Sequence, residues 1–289
     1  MILSEIKLLF QSELSELYSR SEREELFFIF CESILNLNKI DLRINLDKNL
    51  SENDLNKLSE AISELKTGKP FQQILGETEF YGMKFFVNEH VLIPRPETEE
   101  LLELAIGKIQ EKRKKNQGLK ILDIGTGSGI IPILLKKYFL ESEVNSIDIS
   151  KDALEIAKRN ADFHKVEINF INKDYLNEVF DSAQTDNQVF DIIISNPPYI
   201  GIDENPEIED SVKGFEPNLA LFSPTSDALI FYKKIAEDSK NHLAANGLLF
   251  LEINQKLGKE TLELFQNHFS ESYLLKDISG NDRFIYGIK

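Results

Sequence analysis

From Lys120 to the C-terminus, short β-branched runs alternate with amphipathic helical stretches, and no other feature narrows the fold as far. KILDIG (120–125) reads as a strand and GIIPILLKKYF (129–139) as a helix; EVNSIDIS (143–150) is a strand and KDALEIAKRNADFH (151–164) a helix. VEINFINKD (166–174) and FDIIISN (190–196) are strands, SDALIFYKKIAEDSKNHL (226–243) a helix, GLLFLEIN (247–254) a strand and KETLELFQNHF (259–269) a helix. Such alternation predicts an α/β domain, a mostly parallel sheet with helices on both faces. SYLLKDIS (272–279) and DRFIYGIK (282–289) follow closely enough to pair as a hairpin, so the sheet is expected to end antiparallel.

The first seventy residues read as helices only. Ile2, Leu3, Ile6, Leu9, Phe10, Leu14 and Leu17 keep near-helical spacing, a second helix is expected over 22–37 and a third over 52–67. Ser51 with Asp54 resembles a capping-box start, and TGKP supplies the stop. The expected division is a small helical bundle over 1–70, a β-hairpin linker over 71–96 (FQQILGETEFYGMKFFVNEHVLIPRP, turning near Tyr81-Gly82) and the sheet domain over 97–289.

Composition removes several classes of function. No apolar run among the 289 residues approaches the ~18 of a membrane span. Glu5, Glu13 and Glu16 interrupt the N-terminus, which therefore lacks the uncharged core of a signal peptide; the chain is read as cytoplasmic, with no membrane partner. A net charge of −16 argues against a nucleic-acid partner, since such binders owe much of their affinity to neutralised phosphates. The basic run GKIQEKRKKNQGLK (107–120) reads as a solvated helix end. The single cysteine, Cys31, sits on an apolar helix face and reads as core; the four histidines match no metal spacing, and no metal is expected.

Four strand ends carry the chemistry. ILDIGTGSGI (121–130) runs from a strand through Gly125, Thr126, Gly127, Ser128 and Gly129 into a helix, a turn that brings backbone close to a ligand. The next strand ends with Asp148, whose carboxylate can accept both hydroxyls of a ribose. Together they favour an adenosine-containing cofactor. Asp174, after the third strand, is a candidate acceptor for an adenine amino group, and Tyr175 offers a ring near the base. The fourth strand ends in SNPPYI (195–200). Two prolines fix φ and remove donors, and Asn196 before them is pushed out of the helical region, so the turn presents oxygens at the sheet edge.

Asp123 to Gly129 resembles the first motif of S-adenosyl-L-methionine-dependent methyltransferases, and Asn196-Pro197-Pro198-Tyr199 that of members acting on a planar nitrogen. With LIPRPETEELLE (92–103), FEPNLALF (215–222), GNDRFIYG (280–287) and the hairpin segment GETEFYGMKFFV, their order is similar to the HemK/PrmC family of peptide chain release factor glutamine methyltransferases, over nearly the whole chain. One departure is LEINQKLG, where the family more often carries a His-Gly or Gly pair. The resemblance implies a Rossmann-like class I methyltransferase fold. It implies S-adenosyl-L-methionine as cofactor, held by Gly125, Thr126, Gly127, Ser128, Gly129, Asp148, Asp174, Tyr175 and Asn196. It also implies protein methylation of the Gly-Gly-Gln glutamine of class-1 release factors in translation termination. Asn196, Pro197, Pro198 and Tyr199 would hold that amide: the Asn196 side-chain oxygen and Pro197 carbonyl as acceptors, Tyr199 packed on its plane. The helical bundle would serve substrate recognition.

Two further stretches carry expectations. Arg95 and Glu97 in PRPETEE are candidate polar contacts over the cofactor, and the acidic loop 201–218 is expected to face a basic protein segment. Two rivals stay open. An Asn-Pro-Pro-Tyr turn also serves the exocyclic amines of bases, which would make the chain a nucleic-acid methyltransferase. A regulator that binds the cofactor without turnover is the other.

Overall fold

The computed structural model describes residues 1–112, 118–178, 189–201 and 214–289. The described chain falls into two compact units: Met1–Thr78 with Gly214 and Phe215, and the remaining residues from Glu79 onward.

The first unit is helical: α1 (Leu3–Glu13), α2 (Arg20–Leu35), α3 (Lys39–Ile44), α4 (Glu52–Leu65) and α5 (Phe71–Leu75). Ser19 caps α2 reciprocally with Glu22: the Glu22 N–H donates to Ser19 Oγ, and the Ser19 N–H donates to Glu22 Oε2 at 2.7 Å. Most of the periodic positions read from the sequence converge on one core, in which Leu3, Ile6 and Phe10 meet Phe27, Phe30, Leu58 and Leu65, while Leu17, beyond the end of α1, is exposed. Cys31 lies in this core, and burial pushes its thiol up to about 12, so it is an inert packing residue. The segment expected to begin a hairpin at Phe71 instead opens with α5. Pro70 stands at its start and Gly76, at φ 72°, closes it in the left-handed conformation. A helix of five residues is too short for periodicity to reveal.

The second unit begins within β1 (Glu77–Phe80), which pairs with β2 (Met83–Phe86). Tyr81 and Gly82 between them both take positive φ, the geometry of a tight two-residue hairpin turn. Then follow α6 (Pro96–Lys112), β3 (Lys120–Ile124), α7 (Ile130–Tyr138), β4 (Glu143–Asp148), α8 (Lys151–His164), β5 (Asn169–Asn172) and β6 (Phe190–Ser195). After α9 (Asn218–Leu221) come α10 (Ile230–His242), β7 (Leu243–Glu252), α11 (Gly258–Gln266), β8 (Glu271–Lys276) and β9 (Asp282–Ile288). Strand order is β5-β4-β3-β6-β7-β9-β8, parallel from β5 to β7 and antiparallel from β7 through β9 to β8, as the alternation and the closing hairpin required.

The central strands read as unbroken apolar runs because both faces are covered. Ile192, Ile194, Leu248 and Phe250 join the core beneath α6 and α7, while Ile193, Leu249 and Leu251 face Tyr232 and Ile235 of α10. The chain leaves β3 toward β4 and β5 and returns on its other side as β6, so a crevice opens where β3 and β6 end. Among the described residues no helix is long and apolar enough to cross a membrane.

Candidate active site

A cavity of about 370 Å³ occupies that crevice, within the usual range for small-molecule sites. Its floor is the glycine turn from Gly125 to Ser128, one side is Asp148 to Ser150, and another is Lys173 to Asn177. Asn196 and Pro198 border it, and its rim comes from His90 to Leu92, Pro94, Pro217, Leu219 and Phe222. The turn after β3 and the turn after β6 thus meet. Gly125 has φ 85°, and a Cβ there would stand 3.6 Å from the Asn196 carbonyl oxygen, so a side chain would fill the space between the two turns. Gly129 does something else. It is absent from the cavity lining, and a Cβ on it would strike Ala157 of α8 at 3.0 Å; it serves the packing of the helix it starts.

Asp148 does two things at once. Its Oδ2 accepts the Gly127 N–H at 2.9 Å and its Oδ1 accepts the Ser150 N–H at 2.8 Å, so it braces the glycine turn while facing the cavity. Burial raises its pKa and these backbone donors oppose the rise. Each carboxylate oxygen keeps a lone pair for a further donor such as a ribose hydroxyl. Asp174 also borders the cavity, with its carboxylate shared: Oδ1 accepts the N–H groups of Leu176 and Asn177, and Oδ2 accepts Asn177 Nδ2 at 2.9 Å. Tyr175 borders the cavity too, but its ring is packed in the core cluster of Ile171 and Ile235, with its hydroxyl bonded to Asp238. Its hydroxyl is thus held in the core while the residue borders the cavity.

The Asn-Pro-Pro-Tyr turn divides the same way. Asn196 and Pro198 reach the cavity; Pro197 is buried behind it and Tyr199 turns inward. The Tyr199 hydroxyl donates to Glu252 Oε1 at 3.2 Å, and its carbonyl accepts Asn254 Nδ2 at 3.1 Å. Tethered at both ends, Tyr199 turns its hydroxyl away from the cavity toward Glu252. Burial raises its pKa strongly, with Glu252 adding to the shift.

Two residues that sequence reasoning missed complete the arrangement. Thr98, in the first turn of α6, accepts Asn196 Nδ2 at 3.1 Å and donates to Glu252 Oε2 at 2.8 Å. Glu252, the last residue of β7, is fully buried, and burial pushes its carboxyl up to about 7 against the opposing effects of Thr98, Arg283 and Tyr199. The signal lay within stretches already singled out, PETEE, LEIN and NDRFIYG, but nothing in them specified that their polar residues meet.

Arg95 and Glu97 do not line the cavity. Arg95 Nη2 instead donates to Glu216 Oε1 at 2.5 Å, and the buried Glu216 also accepts the Ile93 N–H at 2.9 Å. This pair ties the His90–Pro94 rim to the Pro217–Phe222 rim. Of the acidic loop, Glu216 is described, whereas Asp203, Glu204, Glu207, Glu209 and Asp210 lie outside the described residues. Among the described residues no cluster of His, Cys, Asp and Glu could hold a metal.

Comparison with known proteins agrees with this geometry. Residues 104–210 match the methyltransferase small domain, and residues 9–76 match the PrmC N-terminal domain. A release factor glutamine methyltransferase of Flavobacterium psychrophilum is 45% identical over 99% of this chain and 98% of its own; one from Lactococcus lactis is 40% identical over 90% and 92%. Solved structures share the fold at low identity. A human methyltransferase 10 domain containing protein gives a TM-score of 0.51 at 19% identity over 72% of this chain and 89% of that one. A methyltransferase from Pyrococcus furiosus gives 0.50 at 16% over 83% and 99%. With the glycine turn, the acidic strand end and the Asn-Pro-Pro-Tyr turn gathered on one cavity, and with relatives this similar along almost their whole length, the chain belongs to the release factor glutamine methyltransferase family.

Proposed function

We propose that this chain methylates the side-chain amide nitrogen of the glutamine in the Gly-Gly-Gln motif of class-1 peptide chain release factors, with S-adenosyl-L-methionine as the methyl donor. The observation that carries the reading is the pose of Asn196. Its Nδ2 is committed to Thr98, and its Oδ1 is left as the acceptor end at a cavity whose floor is the glycine turn. An amide NH₂ needs acceptors, and its nitrogen is a poor nucleophile while its lone pair is conjugated with the carbonyl. Asn196 Oδ1 holds one N–H and steadies the nitrogen as it forms its new bond and releases one proton to solvent. Fixed placement of this kind lowers the barrier by several kcal/mol, and up to ~7–11 in well-oriented systems.

The cavity suits the donor. The Gly125–Ser128 backbone would take its amino-acid portion and Asp148 its ribose hydroxyls; Asp174, with its neighbours and the half-exposed Ile149, would border the base. When bound, it supplies a methyl group activated by a sulfonium. Pro198 closes the substrate side. Tyr199 acts from behind, through Glu252, rather than on the amide plane. The helical unit up to Thr78 serves recognition of the factor, the unit from Glu79 onward, whose His90–Pro94 segment rims the cavity, performs transfer, and the partner places the reaction in the cytoplasm.

Labelled methyl donor offered to an intact release factor, to its Gln→Ala version, and to RNA and DNA tests the reading. Label on the intact factor alone is expected. Label on RNA or DNA instead indicates the rival nucleic-acid activity, and donor binding without transfer to any of them indicates a regulator.

A further inference from the structure

An amide side chain has two ends of similar shape and opposite chemistry. Only the oxygen of Asn196 can accept an N–H from a substrate, so whatever selects the end that faces the cavity also selects activity. The selection is made by Thr98 at the cavity wall and by Glu252 behind it. Thr98 carries one hydroxyl proton and spends it on Glu252 Oε2 at 2.8 Å, which leaves its lone pairs to accept Asn196 Nδ2 at 3.1 Å. Glu252 Oε1 takes the Tyr199 hydroxyl proton at 3.2 Å. An ionised carboxylate can only accept, so every bond in the chain must run toward Glu252.

We infer that Glu252, acting through Thr98, sets the orientation of the Asn196 amide and is thereby a positioning residue for methyl transfer. This rests on the function proposed above. The converse case shows the force of the arrangement. A donor at position 252 would send its proton to Thr98 Oγ1, Thr98 would turn its own proton toward Asn196, and Asn196 would have to turn over. Its NH₂ would then face the NH₂ of the substrate, donor against donor.

The same geometry makes the arrangement sensitive to protonation. Glu252 is faced by Arg283, itself paired with Asp277 at 3.2 Å, by Glu97, and by the hydroxyls of Tyr199 and Thr98; the Tyr232 hydroxyl donates to the Glu252 carbonyl at 3.1 Å. Burial raises its pKa to about 7, Glu97 adds to the rise, and Thr98, Arg283 and Tyr199 oppose it. Below that pH the carboxyl can donate to Thr98 and the polarity of the chain is no longer imposed.

Single-turnover transfer to a release factor, measured from about pH 5.5 to 9 on the wild type, Thr98→Val, Thr98→Ser and Glu252→Gln, with donor affinity by calorimetry on each, is the test. The wild-type rate constant should fall on the acid side with an apparent pKa near 7. Thr98→Val and Glu252→Gln should bind the donor normally and be slower by about 10- to 100-fold, short of the ~10²–10³ that follows direct loss of a preorganised polar group. Both should lose the acid limb, and Thr98→Ser, which keeps the hydroxyl, should recover most of the rate lost in Thr98→Val. Asp123 is also pushed up to about 7, so an acid limb that persists in Thr98→Val assigns it elsewhere and overturns the inference. A wild type active on the factor with a flat profile overturns the role of Glu252 and leaves the proposed function standing. A wild type with no transfer to the factor at any pH overturns both.

Discussion

The helical unit and the sheet unit bury different things. In the first, Leu3, Phe10, Phe27, Phe30, Leu58 and Leu65 are buried, and Gln73 is the sole buried polar side chain among its described residues. In the second, Asp123, Glu216, Glu252 and Asp277 are all buried, three of them at the edge where the parallel strands end. Taking an ion out of water costs several kcal/mol even after relaxation. Stability alone therefore accounts for the first core and not for the second. Carboxylates held inside at one sheet edge, two of them with pKa values near 7, mark the place where the fold gives up stability to orient something.

That contrast can be broken at several points. The largest effect is expected from Phe30→Ala, a truncation in the helical core that should cost ~3–5 kcal/mol by chemical denaturation. Donor affinity should hold, and transfer to an intact release factor should suffer more than transfer to a short Gly-Gly-Gln peptide. Parallel loss of affinity and stability would mean that the two units do not keep separate tasks. Next comes Asp148→Ala, which removes charge-assisted bonds worth ~1.5–3 kcal/mol and should weaken donor binding about tenfold to a hundredfold by calorimetry. Unchanged affinity in a folded variant would remove Asp148 from the site.

The smallest effect is a slope. Asp123 binds its proton more tightly in the native state than unfolded, rising from an ordinary 3.8 to about 7, mainly by burial. A carboxyl raised in this way contributes stability that is fully present below pH ~4 and is lost as pH climbs through about 7, because the unfolded state then binds fewer protons than the native one. The melting temperature should therefore fall between pH 5 and pH 8, with the chain's net negative charge acting in the same direction. Asp123→Asn should flatten that fall; an unchanged slope would assign it to other groups.

How much of this was legible in the sequence follows from the range over which each feature is specified. FDIIISN and GLLFLEIN announce buried parallel strands because both their faces are covered, and a glycine turn between strand and helix is a local pattern. Asn196 was legible because two following prolines restrict it locally. The orientation of side chains was not. Thr98 meets Asn196 across 98 positions and Glu252 across 154, and such pairings exist only once strand order brings α6, β6 and β7 together. Tyr175 and Tyr199 stand beside the motifs as expected, yet burial and the partners Asp238 and Glu252 decide where their rings go. Arg95 looked like a cofactor contact because its partner, Glu216, is 121 residues away. In the opposite direction, α5 was missed because a helix this short has no period to read.

The central claim is that Asn196 holds the reacting amide and does not merely shape a turn. Single-turnover methyl transfer by Asn196→Ala, with melting temperature and donor affinity measured on the same protein, tests it most directly. The expected result is a folded enzyme that binds the donor normally and transfers ~10²–10³-fold more slowly. Asn196→Asp, which keeps an acceptor but loses the NH₂ that bonds Thr98, should stay faster than the alanine variant. A folded, donor-competent Asn196→Ala enzyme with a near-normal single-turnover rate would contradict the claim.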